Sequence, residues 1–290
     1  MDGIIIINKQ KNYTSNDVVQ IVKKIFNEKT GHTGTLDPNA TGVLPLLVGK
    51  GTKLSKYLIN HDKIYEVVLK IGEKRDTADS EGNVIENKEI CYSNINKENI
   101  NKVFNTFIGK QEQKPPMYSA IKVNGKKLYE YARKGQEIKV EPRKIEIYKI
   151  ELLNINDKKD EIEFRVECSK GTYIRSLCED IAEKLQTVGY MKELNRIKVG
   201  DFDINNSITI DELKENKDNE KFINKYFISI EKIFENNDKI ELDSKKLTMF
   251  LNGILLNYQL NSGIYRIYSN GKFIGIGEIK ENNLKRDIIL

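Results

Sequence analysis

Residues 64–71 alternate: Tyr65, Val67, Leu69 and Ile71 fall on one side, Glu66, Val68 and Lys70 on the other. A period of two over that length fits a half-buried β-strand, since a helix would scatter those apolar positions around its circumference. Residues 162–168 repeat the pattern with Ile162, Phe164, Val166 and Cys168. Elsewhere the period is helical. Val18, Ile21, Val22, Ile25 and Phe26 follow i, i+3, i+4, i+7, i+8 behind Ser15, read as the N-cap. Ile100, Val103, Phe104, Phe107 and Ile108 predict a helix over 97–108. Ile174, Leu177, Cys178, Ile181 and Leu185 predict another, capped by Thr172. Ile4–Asn8 reads as a short buried strand. The polar run 214–225 has almost no apolar period and reads as a long loop or linker. Glycine-punctuated strands at 263–269 and 272–279 then predict a small β module after an α+β domain of about 230 residues.

Charge narrows the function classes. Between Lys110 and Lys149 there are 11 lysines and arginines against five glutamates, a net of +6 in a chain whose total is +5. Tyr118, Tyr129, Tyr131 and Tyr148 are interleaved with them. Cations can track phosphates while aromatic rings stack on bases, although a solvated lysine-rich face would have the same composition. The apolar runs 4–7 and 43–48 are far shorter than the roughly 18 residues a membrane helix needs. The start Met1-Asp2-Gly3 lacks a signal-peptide layout, and three cysteines without C-x-x-C disfavour a disulfide framework. The expectation is a cytoplasmic protein without membrane association.

Several familiar motifs fail. Gly49-Lys50-Gly51-Thr52 lacks the upstream glycine of a P-loop, and Gly275 and Gly277 lack the third glycine of a dinucleotide fingerprint. Two histidines and no clustered cysteines make a poor zinc site, and no nucleophile elbow supports a serine triad. The expectation is no metal and no organic cofactor. The richest segment runs from Gly31 to Pro45, where three glycines and two prolines bend the chain around one carboxylate, Asp37. Pro38 biases Asp37 toward extended backbone, so it projects from a loop; an aspartate capping a turn fits the same residues.

This segment, Gly31-His32-Thr33-Gly34-Thr35-Leu36-Asp37-Pro38-Asn39-Ala40-Thr41-Gly42, resembles the catalytic motif of the TruB family. Those are the tRNA pseudouridine synthases acting on the T-loop uridine, position 55 of tRNA. Further stretches resemble the family in the same order. They are Lys63 to Val67 with Asp76-Thr77-Ala78-Asp79, Gln113 to Lys122, Cys168 to Leu177, and Leu194 to Phe202. Residues 240–290 resemble its PUA-type RNA-binding tail. Two places depart from the pattern. Lys9-Gln10-Lys11-Asn12 stands where the family has Lys-Pro-x-Gly, and Asn195-Arg196 where it has paired arginines.

The resemblance implies an α+β fold: a catalytic domain over 1–234 on a mixed, mainly antiparallel sheet with flanking helices, and a PUA-like domain over 235–290. It implies isomerisation of uridine by base flipping, with Asp37, Tyr65 and Arg175 catalytic. His32, Tyr65, Tyr173, Leu194, Lys9 and Lys122 are the implied substrate contacts. In this picture Arg175 pairs with Asp37, Tyr65 stacks on the flipped base, His32 fills the space the base vacates, and Tyr173 and Leu194 line the uracil pocket. Without the resemblance Tyr65, Tyr173 and Leu194 read as core residues, and His32 as a hydrogen-bonded loop histidine. The expected partner is tRNA, with no obligate protein partner and a monomeric chain. The alternatives are a non-catalytic tRNA-binding or folding factor, and a related synthase with another RNA target.

Overall fold

The apolar run near the N-terminus is buried on both sides. In β1 (Gly3–Lys9), Ile5 and Ile7 enter one core cluster while Ile4 and Ile6 enter another across the sheet. This computed structural model describes residues 1–119, 121–136 and 138–290. After β1 come helix α1 (Ser15–Phe26), β2 (Thr30–His32) and β3 (Thr41–Val48), then the one-turn helix α2 (Ser55–Leu58) and β4 (Lys63–Ile71). β5 (Glu73–Arg75) and β6 (Val84–Asn87) form a ribbon ahead of α3 (Lys97–Asn105) and β7 (Gly109–Gln113). A second ribbon, β8 (Lys122–Val123) with β9 (Lys126–Lys127), leads into α4 (Leu128–Ala132). Long strands β10 (Arg143–Ile155) and β11 (Glu161–Cys168) precede α5 (Ile174–Lys184), β12 (Gly189–Val199) and β13 (Phe202–Asp203). Next are α6 (Ile210–Glu215), α7 (Glu220–Tyr226), β14 (Phe227–Ser229) and α8 (Ile230–Ile233). The chain ends with β15 (Lys239–Glu241), α9 (Ser244–Leu251), β16 (Leu256–Asn257), β17 (Gly263–Ser269), β18 (Lys272–Lys280) and β19 (Asn283–Ile289).

The large sheet has the order β14-β1-β3-β12-β4-β11-β10-β7, with β2 on β3 and β13 on β12. Its pairs are antiparallel except β3 with β12, as a mixed, mainly antiparallel sheet requires. The crossing of β3 beside β12 and β4 brings together segments far apart in sequence, and the site lies there. α1, α3 and α5 cover one face. The C-terminal sheet, β15-β17-β18-β19-β16, leans on the other: Ile276 and Ile288 pack with Ile4, Leu54, Leu58 and Phe234. Among the described residues no helix is long and apolar enough to cross a membrane.

β4 keeps the expected alternation along its length. Other boundaries move for identifiable reasons. Thr14, not Ser15, caps α1, in a capping box with Asp17, and Ser15 is drawn inside the protein. α3 stops at Asn105, ahead of Gly109 at φ +104, leaving Ile108 exposed instead of inward. Tyr173 occupies the N-cap position of α5, while the Thr172 hydroxyl donates to Ser169 O at 3.0 Å. The stretch 214–225 is not a plain loop: it holds the end of α6 and most of α7. Caps at Thr209 and Asn219, with Ile210, Leu213 and Ile223 buried, suffice for such short helices.

Candidate active site

Between β2 and β3 the chain runs through residues 33–40, and five successive backbone carbonyls there are each held. Arg196 of β12 donates from Nη2 to Gly34 O (3.0 Å) and from Nη1 to Thr35 O (3.5 Å). Its Nε donates to Val43 O at 2.8 Å. The buried Ser15 hydroxyl donates to Leu36 O (2.9 Å) and accepts from Leu36 N (2.8 Å). Asp37 O accepts from Ala40 N at 3.1 Å. Pro38 O accepts from Asn12 N and from Lys9 Nζ, both at 3.0 Å. Lys9 gives its other donors to Tyr13 O (2.7 Å) and Gln10 O (3.0 Å). Buried carbonyls demand partners, so a turn this tightly gripped presents its side chains in one arrangement.

What the grip leaves free is the Asp37 carboxylate, 38% exposed. Arg175, itself buried, sets its Nε 3.2 Å from Asp37 Oδ2. The rest of that guanidinium is anchored: Nη1 to Thr77 O (3.3 Å) and near Asp79 Oδ2 (3.5 Å), Nη2 to Tyr118 O (2.9 Å). Gln113 determines where α5 starts, and with it where Arg175 points. Its Nε2 donates to Tyr173 O (3.0 Å) and its Oε1 accepts from Tyr173 N (2.7 Å).

These residues face a cavity of about 680 Å³. Asp37, Tyr65, Tyr173, Arg175, Leu194 and Arg196 line it, and Lys63, Arg143, Lys144 and Lys170 add charge. Tyr65 is buried in the main core, as its spacing suggests, and also lines the cavity. Burial pushes its phenol up to about 12, with the neighbouring Arg196 charge opposing. At neutral pH it is a neutral hydroxyl. Asp37 is the sole carboxylate among the described lining residues. That does not suit hydrolysis by an acid–base pair of carboxylates, but it suits chemistry at a sugar–base bond that activates no water.

Three expected contacts lie elsewhere. Lys9 is fully buried and outside the cavity lining, its donors spent on backbone carbonyls, one of them Pro38 O in the Asp37 loop. Burial lowers its pKa to about 8, with Asp37 pulling upward. His32 ends β2 opposite Leu46, half-buried and outside the lining; burial, then Arg196, lowers its pKa. Its buried Nδ1 has no hydrogen-bond partner among the described residues. Lys122 is exposed on the β8–β9 ribbon, away from the lining. Conversely no site role was expected for Ser15, read only as a helix cap, or for Asp79, Gln113 and Arg196, named only within the stretches that resemble the family. The available signal for Arg196 was a cation two residues beyond the apolar Leu194, on the same strand face.

Residues 23–174 match the family described as TruB family pseudouridylate synthase (N terminal domain). Residues 175–235 match the tRNA pseudouridylate synthase B C-terminal domain, and 239–285 the pseudouridine synthase II TruB C-terminal family. The chain is 44% identical to tRNA pseudouridine synthase B of Clostridium tetani, over 98% of each chain. It is 38% identical to that of Aquifex aeolicus, over 97% of this chain and 96% of that one. Among solved structures, a chain of a Cbf5-Nop10-Gar1 complex is similar at 25% identity with a TM-score of 0.67, covering 99% of this chain and 83% of that one. An H/ACA RNP bound to a substrate RNA containing 2′-deoxyuridine gives 0.68 at 23% identity, covering 99% and 85%, a likeness of fold.

Proposed function

The chain belongs to the TruB family of pseudouridylate synthases, and from that premise we propose that it converts uridine 55 in the tRNA T-loop to pseudouridine, with Asp37, Tyr65 and Arg175 as its catalytic residues. The observation that supports this most directly is the Asp37–Arg175 ion pair at 3.2 Å beside Tyr65. A protein that only bound RNA would gain nothing from a carboxylate turned toward phosphates.

The isomerisation breaks N1–C1′, turns the base, joins C5 to C1′, and moves a proton from C5 while N1 gains one. Asp37 supplies the negative charge, whether it engages C1′ or C6, and Arg175 keeps it ionised and aimed. The Tyr65 hydroxyl can accept a proton on its lone pair while giving up its own, matching a reaction with no net proton change. Tyr173 and Leu194 bound the uracil. The target must leave its stack at a cost of a few kcal/mol, offset by backbone contacts from the basic segment 110–149. The catalytic unit is residues 1–234, with 235–290 a second RNA-binding surface. The test is an unmodified tRNA transcript incubated with the protein, followed by chemical mapping of pseudouridine. A single modified site at position 55, absent with Asp37→Asn, is expected. Modification confined to other positions, or turnover by a clean Asp37→Asn preparation, would overturn the reading.

A further inference from the structure

The geometry points to Arg196 as a positioning residue for this reaction: one buried guanidinium fixes both the loop that presents Asp37 and the phenol of Tyr65. Arg196 and Tyr65 are cross-strand partners in the β12–β4 ladder, and both line the cavity. On its other side β12 pairs with β3, where Arg196 faces Gly42. Gly42 has φ +103, and a Cβ there would stand 2.2 Å from Arg196 O, so only glycine lets β3 approach this closely. The side chain then reaches Val43 O, Thr35 O and Gly34 O, locking the strand and the turn before Asp37 to one planar fork. A buried cation held by neutral carbonyls, with no carboxylate in a salt bridge to it among the described residues, is an expensive arrangement for stability alone. What it gains is a single rigid group touching the elements that carry both reacting side chains. As the cross-strand neighbour of Tyr65, its charge also opposes the upward push that burial gives the phenol.

This inference rests on Tyr65 and Asp37 being the reacting groups, and its test separates the two. The full chain is assayed by tritium release from tRNA labelled at uracil C5. Arg196→Met fills the volume without the fork, a replacement that buried cations often tolerate. It is expected to lower kcat about 10²-fold while KM stays within about threefold, because misplaced reacting atoms slow chemistry and not RNA binding. Arg196→Lys, which keeps the charge but has a single donor nitrogen and no planar fork, recovers part of the loss. Combined with Tyr65→Phe, Arg196→Met costs less than the product of the single losses, since both act through one phenol. A raised KM with unchanged kcat, or losses that multiply, would overturn the role, since a merely structural arginine gives additive effects. If the Met variant does not fold, a folded Lys variant with wild-type kcat is equally decisive against it. Slow Tyr65→Phe beside full-speed Arg196→Met defeats this inference alone; wild-type release by Tyr65→Phe defeats the site reading and the inference together.

Discussion

The loop around Asp37 and the basic segment 110–149 use the same kinds of side chain for opposite ends. At the loop, Lys9, Arg175 and Arg196 are buried and their donors are spent on named acceptors. Along 110–149 all eleven cations are exposed apart from half-buried Lys127. Among the described residues only Lys149 of that set is ion-paired, with Glu151 at 2.7 Å. A buried cation whose donors are used cannot bind a phosphate, but it can fix geometry. An exposed unpaired one orders nothing in the protein, yet it gains by releasing counterions when RNA arrives. The two regions meet at the cavity, which Arg143 and Lys144 line together with Asp37. Solvent access, not residue type, divides chemistry from capture.

The sharpest way to break this division is at Tyr65. If it were only a core ring, Tyr65→Phe would be a near-isosteric swap costing under about 1.5 kcal/mol, with turnover intact. If its hydroxyl handles the C5 proton, folding and stacking survive while single-turnover release falls by roughly 10²–10⁴. Thermal denaturation beside tritium release at saturating enzyme distinguishes the two. Unchanged melting with unchanged rate would return Tyr65 to the core and reduce the site to Asp37 and Arg175.

A smaller effect is expected in the exposed region. Lys122→Ala with Lys126→Ala removes two free cations on the β8–β9 ribbon. If each meets a phosphate, the slope of log affinity against log salt becomes shallower by about 0.7–0.9 per residue, while kcat at saturating tRNA stays unchanged. An unchanged slope measured by filter binding would mark the ribbon as a solvated face. A fall in kcat would erase the contrast between the regions.

How much of this was legible in the sequence follows the same line. The period-two pattern at 64–71 placed Tyr65 on a core-facing strand, because local periodicity reports burial directly. Asp37 stood out as the one carboxylate in a glycine- and proline-bent loop, its role and those of Arg175 and Tyr173 came through resemblance, and the three line one cavity. The grip on the loop was not legible. Ser15 was read as a cap because serine before a helix fits one, yet Thr14 takes that place and frees Ser15 for Leu36, 21 positions away. Arg196 shares a strand face with Leu194, but register shifts between Met191 and Glu193 and between Arg196 and Lys198 confine the alternation on β12 to a few residues, too short to mark a cation as buried. Lys9 reads like a surface lysine, and its acceptor Pro38 is 29 positions away. Such pairings depend on which strands become neighbours, which local pattern does not encode.

The smallest effect tests whether Lys9 belongs with the buried cations. Folding lowers its pKa from 10.5 to about 8, chiefly by burial, against the opposing pull of Asp37. Below pH 8 the ammonium is charged in both folded and unfolded chains, so its contribution to stability does not vary. Between about 8 and 10.5 the unfolded chain binds the extra proton, and stability contributed by this group therefore rises with pH. Lys9→Met has no such titration and leaves the carbonyls of Gln10, Tyr13 and Pro38 short of a donor. The variant should be less stable at pH 7, and its deficit should widen from pH 8 to pH 10 in urea denaturation. Tyr65 and the other groups that titrate there are common to both chains and cancel in the difference. A deficit that narrows instead would mean the folded pKa of Lys9 is raised: the attraction of Asp37 would outweigh burial, and Lys9 would act as a partner to the carboxylate, not only as a brace for its loop.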